Sequence, residues 1–196
     1  MKGKKWVILA AIGIFLLFLG IFLLFLYETI KFQYNRLVSL DQRVKESWSQ
    51  VENVLQRRND LIPNLVVTVK GYAKHERELF TEVTRMRSQL LQAKTVSEKA
   101  DASDALSSVL GRLLVVVENY PQLKASENFL HLQDELAGTE NRIAVERKRY
   151  NETVREYNRI VKSIPIVFFM RRLPFDHEKP YFEATPESRQ VPKVSF

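Results

Sequence analysis

Residues 6–60 read WVILAAIGIFLLFLGIFLLFLYETIKFQYNRLVSLDQRVKESWSQVENVLQRRND, and the way this stretch divides decides the fold. Its first 22 residues, Trp6 to Tyr27, carry no charge, and 20 of them are hydrophobic. As a helix rising about 1.5 Å per residue the run reaches roughly 33 Å, enough for a hydrocarbon core of about 30 Å. Trp6 and Tyr27 stand at its two ends, where amphipathic rings favour the headgroup level, so both are predicted membrane-interface residues. Beyond the run the pattern changes. Tyr27, Ile30, Tyr34, Leu37, Leu40, Val44, Trp48, Val51 and Leu55 recur every three or four residues, and no Gly or Pro occurs between Gly20 and Pro63. The spacing predicts a transmembrane helix that continues as the first helix of a bundle.

A cleavable signal peptide is the rival for the apolar run, since Lys2, Lys4 and Lys5 form a basic leader. The run is longer than the usual apolar region of such peptides, and no small-x-small site precedes Glu28, which favours a retained anchor. The same lysines favour an N-terminus kept in the cytoplasm, with Lys31, Arg36, Arg43 and Lys45 weakening the bias. The expectation is a single-pass protein of the cell membrane with residues 28–196 outside the cytoplasm.

Further along, Asn59 and Asp60 are capping types and Pro63 falls where a first helical turn tolerates it, so a helix break is read here, with a kinked continuation as the alternative. A second helix is predicted over 61–93, its seam Ile62, Leu65, Val69, Tyr72, Glu76, Leu79, Val83, Met86 and Leu90. Thr95 and Glu98 match a capping box opening a third helix, lined by Leu106, Val109, Leu113, Val116 and Tyr120 and ended by Pro121. Ser126 can cap a fourth, running to about Ser163 along Phe129, Leu132, Leu136, Ile143, Tyr150, Val154, Tyr157, Val161 and Ile164. Short connections make this an all-α, up-and-down antiparallel four-helix bundle over 28–164, after a tail and transmembrane anchor at 1–27. No stretch alternates with period two, so no sheet is expected.

In that topology the fourth helix returns to the bilayer. The apolar segment from Ile164 through Phe168 and Phe169, capped by Arg171 and Arg172, can then lie at the lipid interface, close the end of the bundle core, or do both. Five of the seven prolines fall after residue 164, which predicts an irregular tail over 165–196.

Composition narrows the chemistry. With 196 residues and no cysteine, disulfide scaffolds, thiolate zinc, iron–sulfur clusters and cysteine nucleophiles are excluded. The net charge of +7 includes three lysines in the first 27 residues; the rest mixes 27 basic with 23 acidic side chains, without the concentrated face a nucleic-acid binder needs. A carboxylate-bridged di-metal site needs Glu-x-x-His pairs, and His75, His131 and His177 all lack a Glu three residues before them. Gly71, Gly111 and Gly138 are isolated, so no phosphate loop is read. No cofactor, metal or catalytic residue is expected, and no small-molecule substrate.

Polar residues on the seams are the remaining candidates. Glu76, Thr139 and Glu146 fall at core-type positions, with Arg57, Arg58, Arg142 and Arg147 as possible charge partners. They read either as a polar layer that sets helix register, or as a cavity or docking notch around Glu76, Glu146, Asn64 and Arg58. In the anchor, Ala10, Gly13 and Gly20 form a small-residue face suited to close helix packing in lipid.

Several segments together carry a family resemblance. Tyr34-Asn35-Arg36-Leu37-Val38, Trp48-Ser49-Gln50-Val51, Arg57-Arg58-Asn59-Asp60-Leu61-Ile62-Pro63-Asn64-Leu65-Val66 and Val69-Lys70-Gly71-Tyr72-Ala73-Lys74-His75-Glu76 resemble the LemA family. So do Glu118-Asn119-Tyr120-Pro121-Gln122-Leu123-Lys124, Gly138-Thr139-Glu140-Asn141-Arg142-Ile143, Tyr150-Asn151 and Tyr181-Phe182-Glu183-Ala184. The likeness spans about residues 27–184 in order. It implies a bacterial single-pass inner- or cell-membrane protein with a helical bundle, some relatives being associated with organised membranes such as magnetosomes, and it supplies no reaction. The expected role is a non-enzymatic membrane-anchored scaffold whose partners are the bilayer, copies of itself or other membrane proteins, with no nucleic acid. The alternative is a sensory or ligand-binding bundle signalling through a separate transducer.

Overall fold

A computed structural model describes residues 2–73 and 75–183, without the side chains of residues 2–5 and 7–10. Its helices are α1 (Lys2–Lys70), α2 (Arg77–Gln92), α3 (Val96–Val117), α4 (Pro121–Lys124), α5 (Glu127–Val161) and α6 (Ile166–Phe169), followed by a 3-10 turn at Met170–Arg172. No strand occurs among the described residues, in line with the lack of period-two alternation.

α1 joins the apolar run to the periodic stretch in one helix, as the glycine- and proline-free sequence requires. Every side chain from Ala11 to Glu28 is exposed, and one window of α1 is long and apolar enough to cross a membrane. Farther on, Leu37, Leu40, Val44, Val51 and Leu55 are buried.

The expected break at 59–63 does not occur. α1 passes through Pro63 and ends at Lys70, so the second helix predicted from residue 61 begins instead at Arg77. Proline has no N–H to give the carbonyl of Asn59 four residues earlier, which would leave a buried acceptor unmatched. Arg87 of α2 fills the place, its Nε donating to the Asn59 carbonyl at 3.0 Å. The chain leaves α1 after Lys70, where Gly71 lowers helix propensity and Ala73 N–H closes on the Val69 carbonyl at 2.9 Å. Tyr72 is therefore exposed and off the seam, and α2 buries Phe80, Val83, Met86 and Leu90.

α3 opens on the predicted capping box: Thr95 accepts from the Glu98 backbone N–H, and the Glu98 carboxylate accepts from the Thr95 and Lys94 N–H groups at 3.1 and 2.8 Å. Those backbone donors hold the Glu98 carboxyl below its usual pKa. The helix stops at Val117, and Pro121 starts α4 in its first turn, where a missing N–H is harmless. α5 begins directly after Ser126 and buries Phe129, Ile143, Tyr150, Val154, Tyr157, Ile160 and Val161. Ile164, expected on that seam, lies beyond the helix and is 74% exposed.

The chain forms two compact units. One comprises Met1–Arg43 and Glu156–Glu178. Here Leu37, Leu40, Tyr157, Val161, Ile166 and Met170 are buried, and Glu156 is bracketed by Arg36 and Arg43 at 3.3 Å each. The other comprises Val44–Arg155 and Lys179–Phe196. Within it the irregular segment 179–183 is held by side chains. Phe182 is fully buried beside Trp48, and its N–H and carbonyl both bond to the Asn151 amide at 2.8 and 3.1 Å. Arg147 Nε adds a bond to the same carbonyl at 2.9 Å, and the Tyr150 hydroxyl donates to the Pro180 carbonyl at 2.9 Å.

Candidate functional site

In the second unit Val51, Leu55, Arg58, Ile62, Leu65 and Val69 follow one another at spacings of four and three, and all are buried. Arg58 thus takes a core position of α1, with 0% of its surface exposed. A buried guanidinium is tolerable only when its donors are matched, and α3 and α5 supply the acceptors. Nη2 donates to the Ser103 hydroxyl at 2.7 Å and to the Ser103 carbonyl at 3.3 Å. Nη1 donates to the Ser107 hydroxyl and to Glu140 Oε2, both at 2.8 Å. The Ser107 hydroxyl in turn has the Ser103 carbonyl at 3.1 Å and Glu140 Oε1 at 3.3 Å as acceptors for its proton.

Burial lowers the Arg58 pKa from its ordinary value, opposed by the Glu140 charge and hydrogen bond and by Asp104. The group remains a cation at neutral pH all the same, because guanidinium starts so far above it. Asp104 itself pairs with Arg147 at 3.2 Å. The remaining donor, Arg58 Nε, is buried without a hydrogen-bond partner among the described residues.

Beside this cluster lies a cleft of about 290 Å³ whose lining joins polar Arg58, Ser107, Gln133 and Glu140 to Leu65, Leu110, Leu114, Leu136 and Ala137. Gly111 also lines it, and a Cβ there would meet nothing within 4 Å. The cleft therefore combines aliphatic walls with polar edges at Arg58, Ser107, Gln133 and Glu140, while Arg58 Nε itself stays buried. That chemistry suits an apolar group with one polar end. A second cleft of about 290 Å³ lies by Asn59, with Leu90, Leu91 and the Lys99–Glu52 ion pair on its walls. The Asn59 Oδ1 is likewise buried and unmatched among the described residues.

Of the polar positions read from sequence, Arg58 alone belongs to this cluster. Asn64 is exposed on α1, its carbonyl accepting from the Thr68 hydroxyl at 2.8 Å. Glu76 sits half-buried just before α2, with the Tyr120 hydroxyl 3.4 Å from Oε1. Glu146 is half-buried and pairs with Arg149 at 2.8 Å. Thr139 is buried and bonds back to the Glu135 carbonyl at 2.7 Å. Ser103, Ser107 and Glu140 were not read as site residues; the signal for them is the small serines on the buried face of α3.

In the apolar run, Trp6 and Tyr27 are exposed, and a Cβ at Gly13 or Gly20 would meet open space; the Ala10 side chain lies outside the described ones. Phe168, Phe169, Arg171 and Arg172 are all exposed. Among the described residues no group of three or more His, Cys, Asp or Glu is placed to hold a metal ion.

The LemA family model matches residues 47–196. This chain belongs to the LemA family. The match begins past the apolar run and includes the whole Arg58 cluster. The chain is 24% identical to magnetosome protein MamQ of Magnetospirillum gryphiswaldense over 183 residues, covering 78% of this chain and 67% of that protein. Magnetosome protein MamQ 1 of Paramagnetospirillum magneticum is 25% identical with the same coverage. Protein LemA of Metamycoplasma hominis is 26% identical over 125 residues, covering 63% of this chain and 57% of that one.

Proposed function

We propose that this LemA-family chain is a membrane-anchored helical scaffold that organises copies of itself or envelope partners. The apolar part of α1 spans the cell membrane once with its N-terminus in the cytoplasm, and residues 28–164 form an extracytoplasmic four-helix bundle. The observation that carries the reading is that the fully exposed apolar run to Tyr27 and the buried seam from Leu37 to Val69 belong to one helix. A helix apolar on all sides is matched by lipid, and a helix buried on one stripe by packed neighbours. Two relatives named for the magnetosome support a role in organising membrane. Gly13 and Gly20, open on the anchor, offer a face for self-association.

The test is photocrosslinking in intact membranes, with the crosslinker at Gly13 in one variant and at the cleft residue Leu114 in another, followed by mass measurement of the adducts. A homomeric ladder or a reproducible heteromer is expected; a chain that stays monomeric and adduct-free from both positions defeats the scaffold reading. Because the chain has no cysteine, single cysteines at Lys2 and at exposed Leu130 also read out topology with a membrane-impermeant maleimide. Labelling at Leu130 and not at Lys2 is expected in intact cells stripped of any outer layer.

The cleft with aliphatic walls and polar edges at Arg58, Ser107 and Glu140 favours one second reading, a ligand-sensing bundle. A saturable rise in melting temperature with a small amphipathic carbonyl compound, lost on Leu114→Gln, supports it.

A further inference from the structure

Between the end of α5 and Phe175 the first unit carries a face that its own core does not use. Ile166 and Met170, four residues apart, are 1% and 2% exposed, while Ile164 and Phe168, also four apart, are 74% and 73% exposed. Val167 and Phe169 extend the outer face, and exposed Arg171 and Arg172 follow it. Single exposed apolar side chains are ordinary, but four within six residues beside two arginines mark a surface that contacts something.

Its position indicates what. Glu156 lies between Arg36 and Arg43, whereas Phe175 meets the Tyr34 ring at 5.8 Å and Asp176 accepts from the Tyr157 hydroxyl at 2.7 Å. Glu140 of α5 meets Arg58 whereas Glu156 meets Arg36 and Arg43, so α5 runs back along α1 toward Tyr27, and residues 164–172 fall between its end and the Phe175–Tyr34 contact. Tyr34 lies roughly 10 Å of helix rise beyond Tyr27, close to the outer edge of a headgroup layer about 5–8 Å deep. Phe32, 66% exposed on α1 between those two tyrosines, belongs to the same zone.

We infer that the segment 164–172 is a second membrane contact, laid in the interface of the leaflet through which α1 emerges. Ile164, Val167, Phe168 and Phe169 enter the acyl-chain boundary, and Arg171 and Arg172 bind lipid phosphates, the arrangement by which interfacial segments combine apolar burial with anionic attraction. The inference rests on the reading of α1 as a membrane span. Its consequence is a two-point attachment: the span fixes depth, and the 164–172 face fixes the rotation of the first unit about the membrane normal.

The test uses the full chain in vesicles of phosphatidylcholine and phosphatidylglycerol, with an environment-sensitive fluorophore on one introduced cysteine. Phe168→Cys reports the segment, Phe22→Cys the span, and Val145→Cys an exposed site in the second unit. The Phe168→Cys label should emit blue-shifted in the vesicles and be quenched by lipids spin-labelled near the headgroup, while the Val145→Cys label should show neither effect. In the Phe168→Cys chain, Arg171→Gln with Arg172→Gln should lower that quenching severalfold. If the Phe22→Cys label is lipid-quenched while the Phe168→Cys label behaves like the one at Val145, the interfacial contact is overturned and the span stands. If the Phe22→Cys label is itself unquenched, the span reading fails and takes the inference with it. A Phe168→Cys label shielded from both lipid and aqueous quenchers assigns the face to a protein neighbour and also overturns it.

Discussion

Replacing Glu140 with leucine strips the carboxylate from Arg58 without altering the buried side chain. Ser103 and Ser107 still accept from the guanidinium at 2.7 and 2.8 Å, but both are neutral, so a buried cation is left without its ion-pair partner. Breaking a fully buried pair from one side costs about 3–5 kcal/mol. Glu140 is 53% exposed on its side chain, and the adjoining cleft lets water approach, so the loss should be nearer 2 kcal/mol. For a chain of this length that corresponds to a fall of roughly 4–8 °C in melting temperature. Circular dichroism of the micelle-bound chain measures it. Arg58→Met together with Glu140→Leu removes both charges while keeping apolar volume, and should recover to within about 1 kcal/mol of the parent. Raising salt should narrow the difference between parent and Glu140→Leu, since a half-exposed pair is screened. Strictly additive losses in the double variant, or a Glu140→Leu chain as stable as the parent, would refute the view that this carboxylate neutralises a buried charge.

Arg87→Met should cost about 2 kcal/mol by orphaning the Asn59 carbonyl, and much less in a Pro63→Ala background, where a backbone N–H takes the carbonyl back; equal costs in both backgrounds would disprove the substitution of one donor for another. Burial pushes the Tyr150 phenol up to about 12, so the folded state holds that proton more tightly than the unfolded one. Its contribution is intact below pH ~10 and is lost between ~10 and ~12, by about 1–2 kcal/mol after allowing for solvent screening, and an absorbance titration should show one tyrosine ionising well after the exposed ones. Thr95→Ala should remove about 1 kcal/mol through the lost cap of α3, visible as faster amide exchange in the first turn; unchanged exchange there would count against the capping box as a stability device.

Local periodicity carried most of what was legible in the sequence. The apolar start of α1, its seam through Leu37 to Leu55, the Thr95–Glu98 box and the Tyr150–Val154–Tyr157 stripe each depend on residues close together in sequence, and each appears where the pattern put it. The break at Asn59-Asp60 and Pro63 failed for a physical reason of a different kind. Those residue types do cap helices, but the deciding donor, Arg87, lies 28 residues away in sequence. No window short enough to show a helix cap can contain it.

That one misplaced break also hid the true partners of Arg58. With a helix ending at Asp60, Arg58 reads as a charge partner for Glu76 or Glu146, or as one edge of a docking notch. Yet Leu55 and Ile62 are one heptad apart, so the seams on either side of the supposed break are in phase, which a true turn between antiparallel helices has no reason to preserve. Extending the seam through the gap puts Arg58 at a core position, where a cation demands acceptors on its neighbours. Ser103 and Ser107, one turn apart on α3, then become more than small residues: they leave the space a guanidinium fills and turn hydroxyls toward it. Phase across a proline is thus better evidence for continuity than the proline is for a stop, and in this chain it leads directly to the cation that lines the cleft.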